Sequence, residues 1–173
     1  MATLDLKKFI RDIPDFPKPG ILFKDVTTLL QDKKALKASV DILARQFAKK
    51  GVKYVVGIES RGFIFGTALA YKLGVGFIPV RKKGKLPSKT RAVTYDLEYG
   101  TDTLEIHADA LKKGDKVLII DDLLATGGTV GAVVKLVSES GAKIAGVGFI
   151  IELSFLNGRD RLKGFPVFAA IKY

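Results

Sequence analysis

Apolar positions along this chain switch repeatedly between helical spacing and short unbroken runs. From Lys33 to Lys50, Leu36, Val40, Leu43 and Phe47 recur on one helical face, and Gly51 closes the segment. Tyr54 to Glu59 then reads as a strand, Gly62 to Gly74 as a helix rich in small residues, and Val75 to Lys83 as a further strand. Pro79 has no amide proton to give to a ladder, which predicts an edge position or a bulge there. Gly84 to Val93 is polar, basic and proline-containing, and reads as a long mobile loop. Val93 to Ala108 has the pattern of a hairpin turning at Gly100-Thr101-Asp102. Val117 to Ile120 shows no polar alternation at all, as expected of a parallel strand covered on both faces. Thr129 to Ser140 returns to helical spacing, with Val130, Val133, Val134 and Val137 on one face and Gly141 after it. Lys143 to Leu153 and Val167 to Tyr173 complete the set.

Strand–helix alternation of this kind predicts an α/β fold, one domain over residues 1–173 with an open, mostly parallel sheet flanked by helices. Such sheets bind ligands beyond the carboxyl ends of their strands. Two candidate half-sites fall at such ends: Glu59-Ser60-Arg61-Gly62, and the carboxylates Asp121-Asp122.

Composition narrows the function classes. With 173 residues, 47% of them hydrophobic, the chain can bury a substantial single core. It has no cysteine, which excludes disulfides and zinc–thiolate chemistry and fits a cytoplasmic location. No apolar run is long enough to span a bilayer, and the opening residues mix acids with bases and meet proline early, unlike a secretory signal. The net charge of +11 suits either nucleic acid or a small polyanionic substrate. Its basic residues are spread out except for Arg81-Lys82-Lys83-Gly84-Lys85, and no helix-turn-helix, RNP or zinc-finger pattern is present. Neither nucleic acid nor membrane is therefore expected as a partner. His107, the only histidine, is expected to be structural.

The loop Ala125-Thr126-Gly127-Gly128-Thr129 carries more specific chemistry. Its glycines let the backbone turn sharply and expose amide donors, its threonines add hydroxyls, and a helix amino terminus follows. That combination suits a phosphate, although Thr-Gly-Gly also occurs in plain strand-to-helix turns. It is neither a Walker A loop nor a dinucleotide fingerprint. Asp121 and Asp122 sharpen the reading, because carboxylates accept hydrogen bonds from vicinal hydroxyls of a ribose whose 5-phosphate lies in the adjoining loop.

The run "VLIIDDLLATGGT" resembles the phosphoribosyl-pyrophosphate signature of the type I phosphoribosyltransferases. The segments "DFPKPGILFKDVT", "GIESRGFIFG", "RKKGKLP", "LEYG" and "IIELSFLNGRDRL" are similar to the adenine-using branch of that family, over nearly the whole chain. The resemblance implies a flexible catalytic lid over about residues 83–99, and a small hood from about 1–30 and 153–165. It implies that Ala125, Thr126, Gly127, Gly128 and Thr129 hold the 5-phosphate, and that Asp121 and Asp122 hold the ribose hydroxyls. Glu59, Ser60 and Arg61 would form the pyrophosphate turn, with a cis peptide expected at Glu59–Ser60. The cluster Arg81, Lys82, Lys83 and Lys85 would add cationic groups, Arg81 reaching the site of a neighbouring subunit, so a homodimer is implied. Glu98 would handle the proton of the purine ring, with Tyr99 beside it. Adenine would lie against Leu22, Phe23 and Leu153, its edge bonded by backbone groups of Leu22 and Lys24. Lys24 departs from the arginine of many relatives, and lysine cannot reproduce a planar stacking contact.

The activity so implied is purine salvage: adenine and phosphoribosyl pyrophosphate give AMP and pyrophosphate. Mg²⁺ is expected on the substrate and water, with no direct protein ligand. Two alternatives are the same transfer to a 6-oxopurine, and a phosphoribosyl-pyrophosphate-sensing regulator without catalysis. Glu152-Leu153-Ser154 stands where 6-oxopurine enzymes commonly place a base-contacting lysine, and an intact lid segment favours the enzyme.

Overall fold

The computed structural model of the chain describes residues 4–97 and 100–173. Near its start, β1 (Arg11–Ile13) and β2 (Phe23–Asp25) form a small antiparallel sheet of their own. The main sheet comprises β3 (Tyr54–Ile58), β4 (Gly76–Lys82), β5 (Thr90–Asp96), β6 (Thr101–His107), β7 (Lys116–Leu124), β8 (Lys143–Glu152) and β9 (Val167–Lys172). Their order across the sheet is β5-β6-β4-β3-β7-β8-β9. Strands β4, β3, β7, β8 and β9 run parallel, and the β5–β6 hairpin joins antiparallel at β4. The helices are α1 (Thr27–Gln31), α2 (Lys33–Phe47), α3 (Arg61–Leu73) and α4 (Gly128–Glu139). This is the mostly parallel, helix-flanked sheet expected from the sequence.

The unbroken apolar run in β7 is explained by two cores. Val117 and Ile119 pack on one face with Val133, Leu136 and Val137 of α4. Leu118 and Ile120 pack on the other with Leu43 and Phe47 of α2 and Phe65 and Leu69 of α3. Helix α2 forms where expected because Asp32 caps it, accepting from the amides of Lys34 and Ala35. Its apolar stripe ends in Phe47, whose ring rests against β8, where a Cβ on Gly146 or Gly148 would come within 2.8 Å of it.

The helix after β3 covers the α2 side of the sheet, and the helix after β7 covers the opposite side. The two adjacent strands β3 and β7 therefore diverge in their connections, which makes the gap between their carboxyl ends a topological switch point.

Several expectations are corrected. Pro79 lies in β4, which is not an edge strand. The Gly76 amide and the Val80 carbonyl bond to the β3 segment, so by strand alternation the Pro79 nitrogen faces the other way. On that side β6 reaches only Arg81 and Lys82, and the missing amide proton costs no ladder bond. The expected loop over Gly84 to Val93 is shorter, since Thr90 to Val93 already pair with β6. The hairpin turn also comes earlier, with the Leu97 amide donating to the Gly100 carbonyl at 2.9 Å while Thr101 and Asp102 belong to β6. Finally, β7 does not stop before the carboxylates but carries them, running on to Leu124. His107 ends β6, its Nε2 buried and without a hydrogen-bond partner among the described residues. Among the described residues no helix is long and apolar enough to cross a membrane.

Phe47 is 1% exposed, and its ring occupies the space over Gly146 and Gly148. Phe47→Ala is expected to cost about 3–5 kcal/mol. Urea unfolding should show a lower midpoint at unchanged slope; a loss under about 1 kcal/mol would mean that the neighbouring helix collapses into the space.

Candidate active site

Strand β3 pairs with β7 only from Tyr54–Val117 to Gly57–Ile120. It then leaves the sheet through the Glu59–Ser60 turn, whose peptide bond is cis. Strand β7 continues through Asp121 to Leu124 against β8 alone. The parting opens a cleft of about 440 Å³, lined by Glu59, Ser60, Arg61, Lys82 and the run from Asp121 to Val130. Helices α3 and α4 both begin at this cleft, so two sets of free amide donors and two positive dipole ends meet there.

Close backbone approach builds its walls. A Cβ on Gly62 would stand 2.8 Å from Asp121 Oδ1, so glycine lets the first turn of α3 close onto β7. Gly127 has φ +82°, and a Cβ there would be 2.5 Å from the Gly158 carbonyl. A Cβ on Gly158 would in turn overlap the Ala125 carbonyl. The phosphate-type loop therefore rests directly on the 3₁₀ segment Gly158–Leu162. That segment is anchored by Arg159, whose Nε and Nη2 donate to both oxygens of Glu152 at 2.6 and 2.7 Å, while Nη1 reaches the Val167 carbonyl at 3.2 Å. The Arg159 hydrogen bonds hold the buried Glu152 carboxyl below its ordinary range against the opposing effect of burial.

Charge in the cleft is already partly paired. Arg61 Nε donates to Asp122 Oδ2, and the Asp122 carboxylate is almost fully buried. The guanidinium also stands 5.6 Å from the centre of the Phe23 ring. Asp121 Oδ1 accepts from the Asp122 amide at 2.9 Å. Burial pushes the Asp121 carboxyl well above its ordinary value of 3.8, and the neighbouring Asp122 charge adds to that, with Arg61 opposing. At Glu59 burial acts upward, but the Lys82 amide and the Arg81 guanidinium prevail and hold the carboxyl below its ordinary range.

The structure thus brings Glu59, Ser60, Arg61, Asp121, Asp122, Ala125, Thr126, Gly127, Gly128 and Thr129 to one cleft. It does not bring the other described candidates to its wall. Arg81 bonds Glu59 Oε1 and the Lys85 carbonyl, each at 3.2 Å, and Lys85 itself is exposed. Leu22 is exposed, and Leu153 packs against the α2-side core. The Lys24 ammonium bonds Asp12 at 2.7 Å and sits 3.9 Å above the Tyr173 ring, so its side chain serves the small sheet. Glu98 and Tyr99 lie outside the described residues. Sequence reasoning named Lys82, which lines the cleft, only as one member of the basic cluster, and it passed over Gly158 and Arg159, which support the loop. The basic cluster held the signal for Lys82, but not which of its members faces the cleft.

Among the described residues no group of three His, Cys, Asp or Glu side chains could hold a metal ion. A magnesium ion carried on substrate phosphates and water needs no such cluster, and the adjacent carboxylates of the cleft suit contact with its water shell.

The raised Asp121 carboxyl has a consequence for stability. The folded group holds its proton to higher pH than the unfolded one, so stability falls as pH rises above 3.8 and stays lowered beyond the folded value. Asp121→Asn removes that penalty and keeps the oxygen that accepts from the Asp122 amide. Thermal melts should show a higher Tm for the variant at neutral pH, with the difference vanishing near pH 3.8. A variant less stable at every pH would contradict this reading of the charge.

A family profile described as the phosphoribosyl transferase domain matches residues 25–161. The adenine phosphoribosyltransferase of Trichormus variabilis is 58% identical over 172 residues, covering 98% of this chain and 100% of the relative. The structure of the adenine phosphoribosyltransferase from Thermoanaerobacter pseudethanolicus superposes with a TM-score of 0.94 at 51% identity, over 97% of this chain and 98% of that one. That of the Giardia lamblia enzyme complexed with 9-deazaadenine gives 0.93 at 39% identity, over 100% and 98%. The chain belongs to the phosphoribosyl transferase family, in its adenine phosphoribosyltransferase branch.

Proposed function

We propose that the chain transfers the 5-phosphoribosyl group of phosphoribosyl pyrophosphate to adenine, forming AMP and pyrophosphate in purine salvage. One observation carries the reading: β7 delivers two adjacent carboxylates and a helix-capping glycine loop to a single wall of one cleft. That pairing suits a ribose, whose vicinal hydroxyls can donate to the carboxylates while its own 5-phosphate lies in the adjoining loop. The purine is supported by relatives, since the Giardia lamblia enzyme binds 9-deazaadenine and the Saccharomyces cerevisiae enzyme, 42% identical, binds adenine.

In this reading the amides from Thr126 to Thr129 and the α4 dipole hold the 5-phosphate, and Asp121 and Asp122 accept from the ribose hydroxyls. Displacement at the anomeric carbon passes through an oxocarbenium-like state as the carbon–oxygen bond to pyrophosphate breaks. Arg61, at the amino terminus of α3, faces the leaving charge, and Lys82, beside Glu59 at the end of β4, can turn its ammonium there from Asp102, 3.3 Å away. Arg61 can exchange its Asp122 partner for pyrophosphate once the ribose hydroxyls satisfy that carboxylate. Mg²⁺ bound to the sugar pyrophosphate supplies further neutralisation of its oxygens. The residue-83–99 lid and a hood from residues 1–30 and 153–165 exclude water from the reacting carbon, and the adenine edge meets backbone groups of Leu22 and Lys24. Arg81, turned from its own cleft wall, is assigned to the site of a second copy in a homodimer, and the enzyme is assigned to the cytoplasm.

Incubation with phosphoribosyl pyrophosphate, Mg²⁺ and each purine base, read by chromatography, tests the substrate. AMP should form with a specificity constant about 10²-fold or more above that for the hypoxanthine or guanine products. Faster reaction of either 6-oxopurine would overturn the assignment.

Alkylating adenine requires loss of the proton on its imidazole ring, and the chain's single histidine lies in β6 outside the cleft. Glu98 is assigned as the acceptor. Glu98→Gln keeps the shape but cannot take up the proton, so the chemical step should slow by about 10²–10⁴-fold. Single-turnover kinetics measures it free of product release. A step within about threefold of wild type would show that Glu98 only shapes the lid.

A further inference from the structure

Strand β5 lies along α4 and touches both of its ends. At the carboxyl end, Arg91 Nη1 donates to the Glu139 carbonyl at 3.4 Å. At the amino end, the Tyr95 hydroxyl lies 3.3 Å from Thr129 Oγ1. The Tyr95 ring covers the same turn, 3.8 Å from where a Cβ on Gly128 would stand, and packs on the α4-side core. Tyr95 does not line the cleft, whereas Thr129 does. The tyrosine thus stands behind a cleft hydroxyl, and its oxygen is the point at which β5 meets the hydroxyls of the loop.

A threonine hydroxyl has one proton and two acceptor lone pairs. Left to rotate, that proton can point at the tyrosine oxygen, at a helix carbonyl or into the cleft. If the tyrosine donates, the threonine oxygen is occupied as an acceptor on that side and its own proton must go elsewhere. Donors in series also polarise one another, strengthening the final bond to an anion.

We propose that Tyr95 is a positioning residue: its hydroxyl donates to Thr129 Oγ1 and directs the single threonine proton into the cleft, toward the substrate's 5-phosphate. The proposal rests on the reading of Ala125 to Thr129 as the phosphate loop. It also ties β5, the strand that precedes Glu98 in the chain, to phosphate binding, since the same hydroxyl links β5 to the helix that caps the phosphate.

Calorimetric titration with ribose 5-phosphate tests it, on the wild type, Tyr95→Phe, Thr129→Val and the double variant. Tyr95→Phe removes one oxygen and leaves the ring in its packing. It should weaken binding roughly three- to tenfold. In the Thr129→Val background, which keeps the shape without the hydroxyl, the same substitution should change nothing. Thr129→Ser, which restores a hydroxyl, should restore the sensitivity. In steady state Tyr95→Phe should raise KM for phosphoribosyl pyrophosphate while kcat stays within about twofold. A merely structural tyrosine would instead lower Tm and act equally in both backgrounds. Wild-type affinity in Tyr95→Phe, or an equal loss in the wild-type and Thr129→Val backgrounds, overturns the proposal. Wild-type affinity in Thr129→Val itself would instead remove the phosphate-loop reading, and the proposal with it.

Discussion

Two adjacent carboxylates in the middle of a parallel sheet repel each other and lose their hydration, so they persist only where neighbouring groups compensate. Here the compensation comes from one direction. Arg61, the first residue of α3, pairs with Asp122, and the glycine after it lets the helix close onto Asp121. The compensation is incomplete, because Asp121 still holds its proton more tightly than an ordinary aspartate. A site left in that condition favours ligands that donate hydrogen bonds to carboxylates, as sugar hydroxyls do. By the same argument the Asp121 charge costs stability at neutral pH, a cost that folded proteins accept at functional sites.

The same constraint sets the surrounding architecture. The carboxylates can meet a ligand only because β3 leaves the sheet at Ile58 while β7 continues along β8. With β3 gone, the loop after β7 needs support from elsewhere, and the Gly158–Leu162 segment supplies it through glycine–glycine contact. The Glu152–Arg159 fork fixes that segment to the end of β8 and to β9. Planar, bidentate pairing suits this task better than a single flexible ammonium would. The central strand, its two helix starts and the C-terminal segment therefore act as one frame around the ribose and phosphate positions.

Much of this frame was legible in the sequence because it is encoded locally. Helices α2 and α4 follow from apolar spacing, and the buried half of β7 from four apolar residues with two cores to fill. The glycine loop and the paired aspartates were legible as chemistry for the same reason. What depends on distant partners was not. The apolar run ends at Ile120, yet the strand goes on, because pairing with β8 alone can hold Asp121 and Asp122. Arg61 reads as a pyrophosphate ligand, but its carboxylate partner lies 61 residues away. Lys24 reads as a base contact through its backbone alone, and the partners of its ammonium, Asp12 and Tyr173, come from elsewhere in the chain. Pro79 reads as an edge residue, and only the short reach of β6 explains how it sits inside the sheet.

The central claim is that the Asp121–Asp122 pair and the Ala125–Thr129 loop together receive one ribose phosphate. A crystal structure with AMP bound tests it most directly. The phosphate oxygens should lie about 3 Å from the amides of Thr126 to Thr129, with the ribose hydroxyls at similar distance from Asp121 and Asp122. An AMP whose phosphate sits instead among Arg81 and Lys85, leaving both aspartates without a hydroxyl partner, would contradict it.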